Sequence, residues 1–177
     1  LYNDTVRFME FGIDTLSTLR NKILDPYAIF TLGKMKMDPD PSIPFQNPER
    51  DETFDKLKQK LWIRTITEND HYIFMRLDQG LSDSSKFGIY DKKSLETNFL
   101  QNSGFKNDLD YGIDFWPKYI YNDKTLVDYI DAYKLLSMIH GKQSIDLKDR
   151  NTGLLNPLEK LEKELTETSN PVLIVLK

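Results

Sequence analysis

The sequence predicts a mostly β protein built from antiparallel sheets, arranged as a sandwich, a barrel or the blades of a β-propeller. Three observations support this prediction. Short strands separated by turn residues recur at about ten-residue spacing along most of the chain. Aromatic residues make up 12% of the chain, which is typical of a folded β-rich protein and not of a disordered one. The apolar run 172–176 would be an aggregating edge unless it is inserted in a sheet.

Composition excludes several function classes. The chain has 177 residues, which suits one domain with a substantial core. Its net charge is −4, so nucleic acid is not an expected partner. Cysteine is absent, which excludes disulfides and thiolate metal sites. No apolar run reaches the roughly 18 residues of a membrane-spanning helix, and the first residues have neither the basic start nor the apolar core of a signal peptide.

Alternating apolar and polar residues predict the individual strands. The clearest pair is 62–67 and 71–77, which flanks a turn of suitable chemistry at 68–70. Residues 13–24 fit either a helical turn or a ragged strand. Residues 38–50 hold four of the eight prolines, which predicts an irregular loop. The other predicted strands are 5–11, 27–32, 86–90, 94–100, 118–121, 125–130 and 172–176.

Two or three short helices are expected beside the strands. Residues 51–61 place three apolar side chains on one helical face, which predicts a helical insertion. A second helix is predicted over 132–140, ended by Gly141 as a left-handed C-cap. The C-terminal helix is predicted over 157–168, begun by Asn156 as N-cap and followed by the closing strand.

A series of short motifs resembles one family. In order along the chain they are Asp4-Thr-Val-Arg7, Pro26-Tyr-Ala-Ile-Phe-Thr-Leu-Gly-Lys34, Glu68-Asn-Asp-His-Tyr-Ile-Phe74, Ile89-Tyr-Asp-Lys-Lys93, Asn107-Asp-Leu-Asp110, Phe115-Trp-Pro-Lys118 and Asn170-Pro-Val-Leu-Ile-Val175. Together they resemble the C-terminal half of the Bacteroides-type six-bladed β-propeller proteins. These are mostly exported lipoproteins or periplasmic proteins without an established activity.

The resemblance implies a more specific architecture. Residues 1–177 would form a partial propeller of about three to four blades, each an antiparallel four-stranded sheet, with the first blades and the lipoprotein signal outside this sequence. Such a protein would be exported to the periplasm or the outer membrane. The chain departs from the family's pattern at Tyr111-Gly112 and in the long insertion over 38–61, which weakens any argument for a shared ligand at that loop.

The loop within 104–120 is the candidate functional site. Asn107, Asp108, Asp110 and Asp114 could bind a cation through carboxylate and carbonyl oxygens, although their spacing does not fit an EF-hand. The alternative is that these side chains cap backbone N–H groups in a tight turn.

The same loop ends in aromatic residues with two interpretations. Trp116, Tyr119 and Tyr121 could form a stacking platform for a sugar or a peptide. Alternatively, the Trp116-Pro117 pair is core at the start of a strand. From this loop we expect ligand binding at Asn107, Asp108, Asp110 and Trp116.

Three functions follow from these residues. The first is a non-enzymatic binding or scaffold module with a protein or glycan ligand. The second is a carbohydrate-active hydrolase or lyase that uses Asp108 and Asp110 as acid and base, and the third is a purely structural role. No metal site is expected from the histidines, His71 and His140, and without a phosphate-cradling glycine loop no cofactor is expected. A partial propeller could also self-associate.

Overall fold

The described residues form three antiparallel sheets and two helices, so the prediction of a mostly β protein is confirmed. A computed structural model describes residues 5–10, 12–37, 58–80, 84–101, 104–107, 113–143 and 157–177. The chain divides into two compact units, Leu1–Ser103 and Gly104–Lys177. The first unit contains two sheets and the second contains the third sheet with both helices.

Sheet one has three strands in the order β1-β2-β3. They are β1 (Val6–Phe8), β2 (Thr15–Arg20) and β3 (Ile23–Ile29). A two-residue turn of Asn21 and Lys22 joins β2 to β3, and both residues have positive φ, 48° and 67°. Two consecutive left-handed residues give the turn the twist that matches a hairpin. The stretch 13–24, ambiguous from sequence, is therefore a strand and the start of its hairpin partner.

Sheet two has four strands in the order β4-β5-β6-β7. The strands are β4 (Leu61–Glu68), β5 (Tyr72–Gln79), β6 (Ser85–Asp91) and β7 (Glu96–Leu100). The turn between β4 and β5 is held by Asn69, whose Oδ1 accepts the backbone N–H of His71 at 3.0 Å and of Tyr72 at 2.7 Å. Among the described residues, this is the sheet with the predicted four strands.

The core of the first unit lies between these two sheets. Ile63, Ile73, Met75 and Leu77 form its buried cluster. Met9, which follows β1, and Phe30 and Leu32, which follow β3, pack against it, as do Ile66 and Tyr90 of sheet two. Complete burial of each such aliphatic side chain contributes about 2 kcal/mol. The buried apolar side chains of β4 and β5 therefore hold sheet one against sheet two.

Sheet three and two helices form the second unit. The sheet order is β10-β9-β8, with β8 (Tyr119–Tyr121), β9 (Thr125–Ile130) and β10 (Val172–Leu176). Helices α1 (Ala132–Gln143) and α2 (Pro157–Glu164) lie between β9 and β10 in the sequence. The His140 Nε2 atom lies 3.1 Å from Glu162 Oε1 and links the two helices. The closing strand occupies the residues predicted for it.

The helix ends differ from the prediction. Helix α1 runs through Gly141 to Gln143, so Gly141 does not act as a C-cap. Helix α2 stops at Glu164, four residues before the predicted end, and the Thr166 N–H instead donates to the Ser169 side chain. Ser and Thr compete for backbone groups in this way and disfavour helix. Of the predicted insertion 51–61, residues 51–57 lie outside the described ones and Leu61 is the first residue of β4.

We expect Leu77→Ala to lower the free energy of unfolding of the first unit by about 3 kcal/mol, because it leaves a cavity at a side chain that is 1% exposed. Leu24→Ala is the matched control, since Leu24 is 49% exposed and its truncation should cost less than about 1 kcal/mol. Urea unfolding of both variants measures the difference. Equal losses would contradict the assignment of the core to the sheet one–sheet two interface.

Candidate ligand-binding site

The predicted loop is closed by a two-residue bridge in the second unit. The Phe105 N–H donates to Phe115 O at 2.7 Å, and the Phe115 N–H donates to Phe105 O at 2.9 Å. Asn107 is half-buried, and Asp108 and Asp110 lie outside the described residues. The choice between a cation site and a set of turn caps therefore stays a prediction for this loop.

Trp116 lies in the core of the second unit. Its side chain is 6% exposed and its ring stacks on Phe105 with centroids 6.0 Å apart. Of the predicted aromatic platform, Tyr119 and Tyr121 are exposed, at 61% and 66%. Tyr119 stacks on Tyr129 with centroids 6.3 Å apart. The Trp116 ring therefore has no open face for a sugar, whereas the tyrosines do.

A buried carboxylate fixes the backbone at Trp116. Asp128 is 6% exposed; its Oδ2 accepts the Trp116 N–H at 3.1 Å and its Oδ1 accepts the Tyr129 N–H at 2.7 Å. The Lys118 ammonium lies 2.7 Å from Oδ1 and 4.1 Å from the centre of the Tyr129 ring. The carboxylate is thus occupied by backbone and lysine, which is a structural role.

A concave site lies in the first unit, between sheets one and two. It is a cleft of about 570 Å³, within the usual size range of small-molecule sites. Its floor is the buried cluster of sheet two. The residues that line it are Tyr27, Ala28, Ile29, Phe30, Thr31, Leu32, Ile63, Ile73, Met75, Leu77, Tyr90, Lys92, Thr97 and Phe99.

The strand register explains why these residues of sheet two share one face. Met75 is paired with Gly88, and Gly88 with Phe99, across three neighbouring strands. Paired residues of antiparallel strands point to the same side. A Cβ atom at Gly88 would lie 3.0 Å from the Phe99 ring. The missing side chain therefore lets the Phe99 ring lie across the sheet and form one wall of the cleft.

A buried charge network forms the polar end of the cleft. The Glu68 side chain is 4% exposed; its Oε1 accepts from Tyr27 Oη at 2.5 Å and Lys92 Nζ at 2.6 Å, and its Oε2 accepts from Arg7 Nε at 3.3 Å. Arg7 also donates to Thr18 Oγ1 at 2.6 Å, and its guanidinium lies 3.7 Å from the centre of the Tyr27 ring. The network joins the three strands of sheet one to two residues at sheet two, Glu68 at the end of β4 and Lys92 directly after β6.

The cation that lines this end of the cleft is Lys92. Its ammonium is paired with Glu68 and bonded to the Asn69 carbonyl at 2.7 Å. Because Arg7 is paired with the same carboxylate, the three side chains together keep one net positive charge. Among the described residues that line the cleft, Lys92 is the one with a charged side chain. The site therefore combines apolar walls with a few polar groups at one end, an arrangement typical of binding pockets.

Sequence reasoning missed this cleft because its walls come from distant segments. The alternation of Ile73, Met75 and Leu77 was a signal for a buried face, but not for a gap above it. Glu68 and Lys92 each lie beside a hairpin turn, where charged residues are usually solvated. The signal that could have been read is Gly88 within a predicted strand, since glycine there often marks a close approach.

Two further observations concern metals and membranes. Among the residues that the structure describes, no group of three or more His, Asp or Glu side chains is placed to hold a metal ion. Within the same ranges, neither helix is long and apolar enough to cross a bilayer.

Comparison with known proteins gives a family and one structural neighbour. The family described as a domain of unknown function, DUF4934, matches residues 1–177. No curated protein matches the chain. The chain is similar to a crystal structure of a predicted exported protein from Bacteroides fragilis, with a TM-score of 0.54 and 16% identity. The similarity covers 99% of this chain and 48% of that protein, so the chain spans about half the length of its neighbour. At this identity the likeness concerns the fold.

We expect Glu68→Ala to lower the free energy of unfolding of the first unit by about 3 kcal/mol, because it leaves Arg7 and Lys92 without their buried counter-charge. Glu96→Ala, at an exposed position of β7, is the control and should cost less than about 0.5 kcal/mol. Urea unfolding measures both. A loss at Glu68 no larger than at Glu96 would mean that the network does not hold the sheets together.

In the second unit, Asp128→Ala should destabilise by about 2 kcal/mol, because the buried Trp116 N–H loses its acceptor. Asp128→Asn retains one side-chain oxygen and should lose about half as much. Near-ultraviolet circular dichroism should report a loosened Trp116 environment in the alanine variant. An unchanged spectrum together with unchanged stability would contradict the role assigned to Asp128.

Proposed function

Because the chain belongs to the DUF4934 family, whose description assigns no activity, we propose a function from its geometry: it is a non-enzymatic binding module of an exported bacterial protein. The observation that carries this proposal is the cleft between sheets one and two. Its walls are apolar, its volume is about 570 Å³, and Lys92 supplies a charge at one end. Ligand pockets are mainly apolar with a small number of polar groups that orient the ligand.

The chemistry of the lining favours binding over catalysis. The polar groups at the cleft are the Tyr27 and Tyr90 phenols, the Thr31 and Thr97 hydroxyls and the Lys92 ammonium. Glu68, the nearby carboxylate, is saturated by three donors. A general base must be free to take a proton from a substrate, and a carboxylate held by two cations and a phenol is not. The cleft is therefore suited to hold a ligand without changing it.

The finer architecture and the location of the protein belong to the same proposal. The three sheets are blades of a β-propeller, and the protein reaches the periplasm or the outer membrane, in the manner of an exported lipoprotein. Support for export comes from the Bacteroides fragilis neighbour, which is described as a predicted exported protein. Support for blades comes from sheet two, whose four antiparallel strands follow one another in sequence order, as in propeller blades.

Open sheet faces also support a propeller. One face of sheet three carries the exposed residues Tyr119, Tyr121, Tyr129, Leu173 and Val175. One face of sheet one carries the exposed residues Val6, Phe8, Leu19 and Leu24. Large exposed apolar patches mark surfaces that pack against something else. Further blades, such as the second half of the longer neighbour could supply, would cover both faces.

The proposed cleft can be tested with anilinonaphthalene sulfonate, an apolar probe with one negative charge. We expect saturable fluorescence enhancement, weakened about fivefold by Phe99→Ala, because a partly exposed ring contributes about 1 kcal/mol to contact with an apolar ligand. Phe99 is 56% exposed, so its truncation should leave the fold intact.

The control for this test is Phe8→Ala. Phe8 has a similar exposure of 47% but lies on the open face of sheet one, outside the cleft lining. Its truncation should leave probe binding within about twofold of the unaltered chain. If both variants lose affinity equally, the probe binds the open faces and the proposal fails; it also fails if the unaltered chain does not bind the probe.

A further inference from the structure

We infer that the cleft takes an extended peptide segment that adds a fourth strand to sheet one along β3 and places an acidic side chain near Lys92. This inference rests on the proposed binding function and specifies its ligand class. It follows from three features of the first unit: the unequal strand numbers of its two sheets, the direction of the β3 backbone groups and the charge at one end of the cleft.

Among the described residues, the two facing sheets differ by one strand. Sheet two has four strands, whereas sheet one ends at β3 among the described residues. The three strands of sheet one therefore leave the outer part of the facing surface uncovered, where Tyr90, Thr97 and Phe99 line the cleft. Neighbouring strands lie about 4.8 Å apart and packed sheets about 10 Å apart. A strand added beside β3 would thus lie opposite these three side chains and fill the gap.

The register of β3 shows which of its backbone groups point away from β2. In a hairpin with a two-residue turn, the residues that flank the turn form a hydrogen-bonded pair, here Arg20 and Ile23. Pairing then alternates along the strand. The backbone N–H of Asp25 points to β2, whereas the backbone nitrogen of Pro26 points away from β2, where no N–H is needed for pairing. Beyond the bulge the Phe30 N–H donates to Asp14 O at 2.8 Å.

The alternation leaves an outward-facing stretch at the end of β3. Because Phe30 faces β2, the backbone groups of its neighbours Ile29 and Thr31 point away from it. Both residues line the cleft, as do the four residues among and around them. The Ile29 side chain is 67% exposed. Strand addition uses an open edge of this kind for affinity and the adjoining pockets for side-chain selection.

Charge and apolar surface define the segment. Side chains of an added strand alternate between the cleft and the outer side, so every second residue should be apolar to match Tyr90 and Phe99. Lys92 and the Tyr27 phenol lie at one end of the cleft. Arg7 and Lys92 share the single Glu68 carboxylate at that end, so the three side chains keep one net positive charge. A peptide carboxylate complements this charge, whereas a cationic side chain would be repelled. The expected occupant is therefore a short extended peptide with alternating apolar residues and one acidic residue.

The probe is a fluorescein-labelled heptapeptide of alternating valine and threonine with aspartate at one end. Fluorescence anisotropy should give saturable binding to the complete chain. Methylation of every second backbone nitrogen on the pairing edge should weaken binding at least about tenfold, because it removes ladder hydrogen bonds and keeps the side chains. Replacing the aspartate by lysine should weaken it about fivefold or more through repulsion by Lys92.

A matched pair of proline variants tests the edge itself. Ile29→Pro removes an outward N–H within the cleft, and Leu24→Pro removes an outward N–H of the same strand outside the cleft lining. Proline is tolerated on an edge strand at such positions. We expect Ile29→Pro to abolish peptide binding, whereas Leu24→Pro, outside the cleft lining, leaves the binding of both the peptide and anilinonaphthalene sulfonate unchanged.

The results separate this inference from the proposed function. If the sulfonate probe binds but neither peptide does, or if the methylated peptide binds as well as its parent, strand addition is overturned and the cleft remains a binding site. If neither probe binds, both proposals fall. A concentration-dependent dimer that Ile29→Pro dissolves would also overturn the peptide assignment, since two copies would then be paired along β3.

Discussion

The burial of the Glu68 carboxylate is the constraint on which the first unit depends. An ionised carboxylate removed from water costs several kcal/mol unless cations and donors surround it. Here Arg7 comes from β1, Tyr27 from β3 and Lys92 from the turn after β6. The three donors are satisfied together in one relative position of the two sheets. The carboxylate therefore sets the distance between sheets one and two, and with it the width of the cleft.

A difference in strand number turns that fixed distance into a site. Two sheets of equal size would cover each other, and the apolar faces between them would be core throughout. Sheet one stops one strand earlier than sheet two in the described residues, so the same apolar face is core over Ile73 and Leu77 and accessible over Tyr90 and Phe99. The cleft is thus the part of the apolar face of sheet two that extends beyond the last described strand of sheet one.

Local pattern predicted the strands well and the site poorly, for a physical reason. Period-two alternation is a property of a single segment, so β4 and β5 could be read directly, and β10 could be read from its continuous apolar run 172–176. The hairpin of β2 and β3 was ambiguous because its turn, Asn21-Lys22, has no glycine although both residues have positive φ. Gly141 looked like a helix end, but α1 continues through it to Gln143.

The site depends on contacts that no local pattern encodes. The sequence Trp116-Pro117 is the same whether the pair is buried in the core or forms a stacking platform for a ligand. Asp128, twelve residues further on, accepts a hydrogen bond from the Trp116 N–H and holds this backbone in the core. The cleft brings Tyr27 of β3 and Phe99 of β7 to one space through the packing of two sheets. A loop rich in aspartate attracts attention in a sequence because its chemistry is contiguous, while a cleft of this kind becomes visible when the sheets are in place.

The Glu68 network also has a consequence for the order of folding. Its partners are 61, 41 and 24 residues away along the chain, for Arg7, Tyr27 and Lys92 respectively. The hairpins β2–β3 and β4–β5 close short loops and can form early, whereas contacts across such separations carry a larger loop-closure entropy. Desolvating the carboxylate before its cations arrive is costly, so we expect the docking of sheet one onto sheet two to be a late step. Until then the apolar face of β4 and β5 is exposed to other chains, and we expect the newly made protein to be most prone to aggregation in this interval.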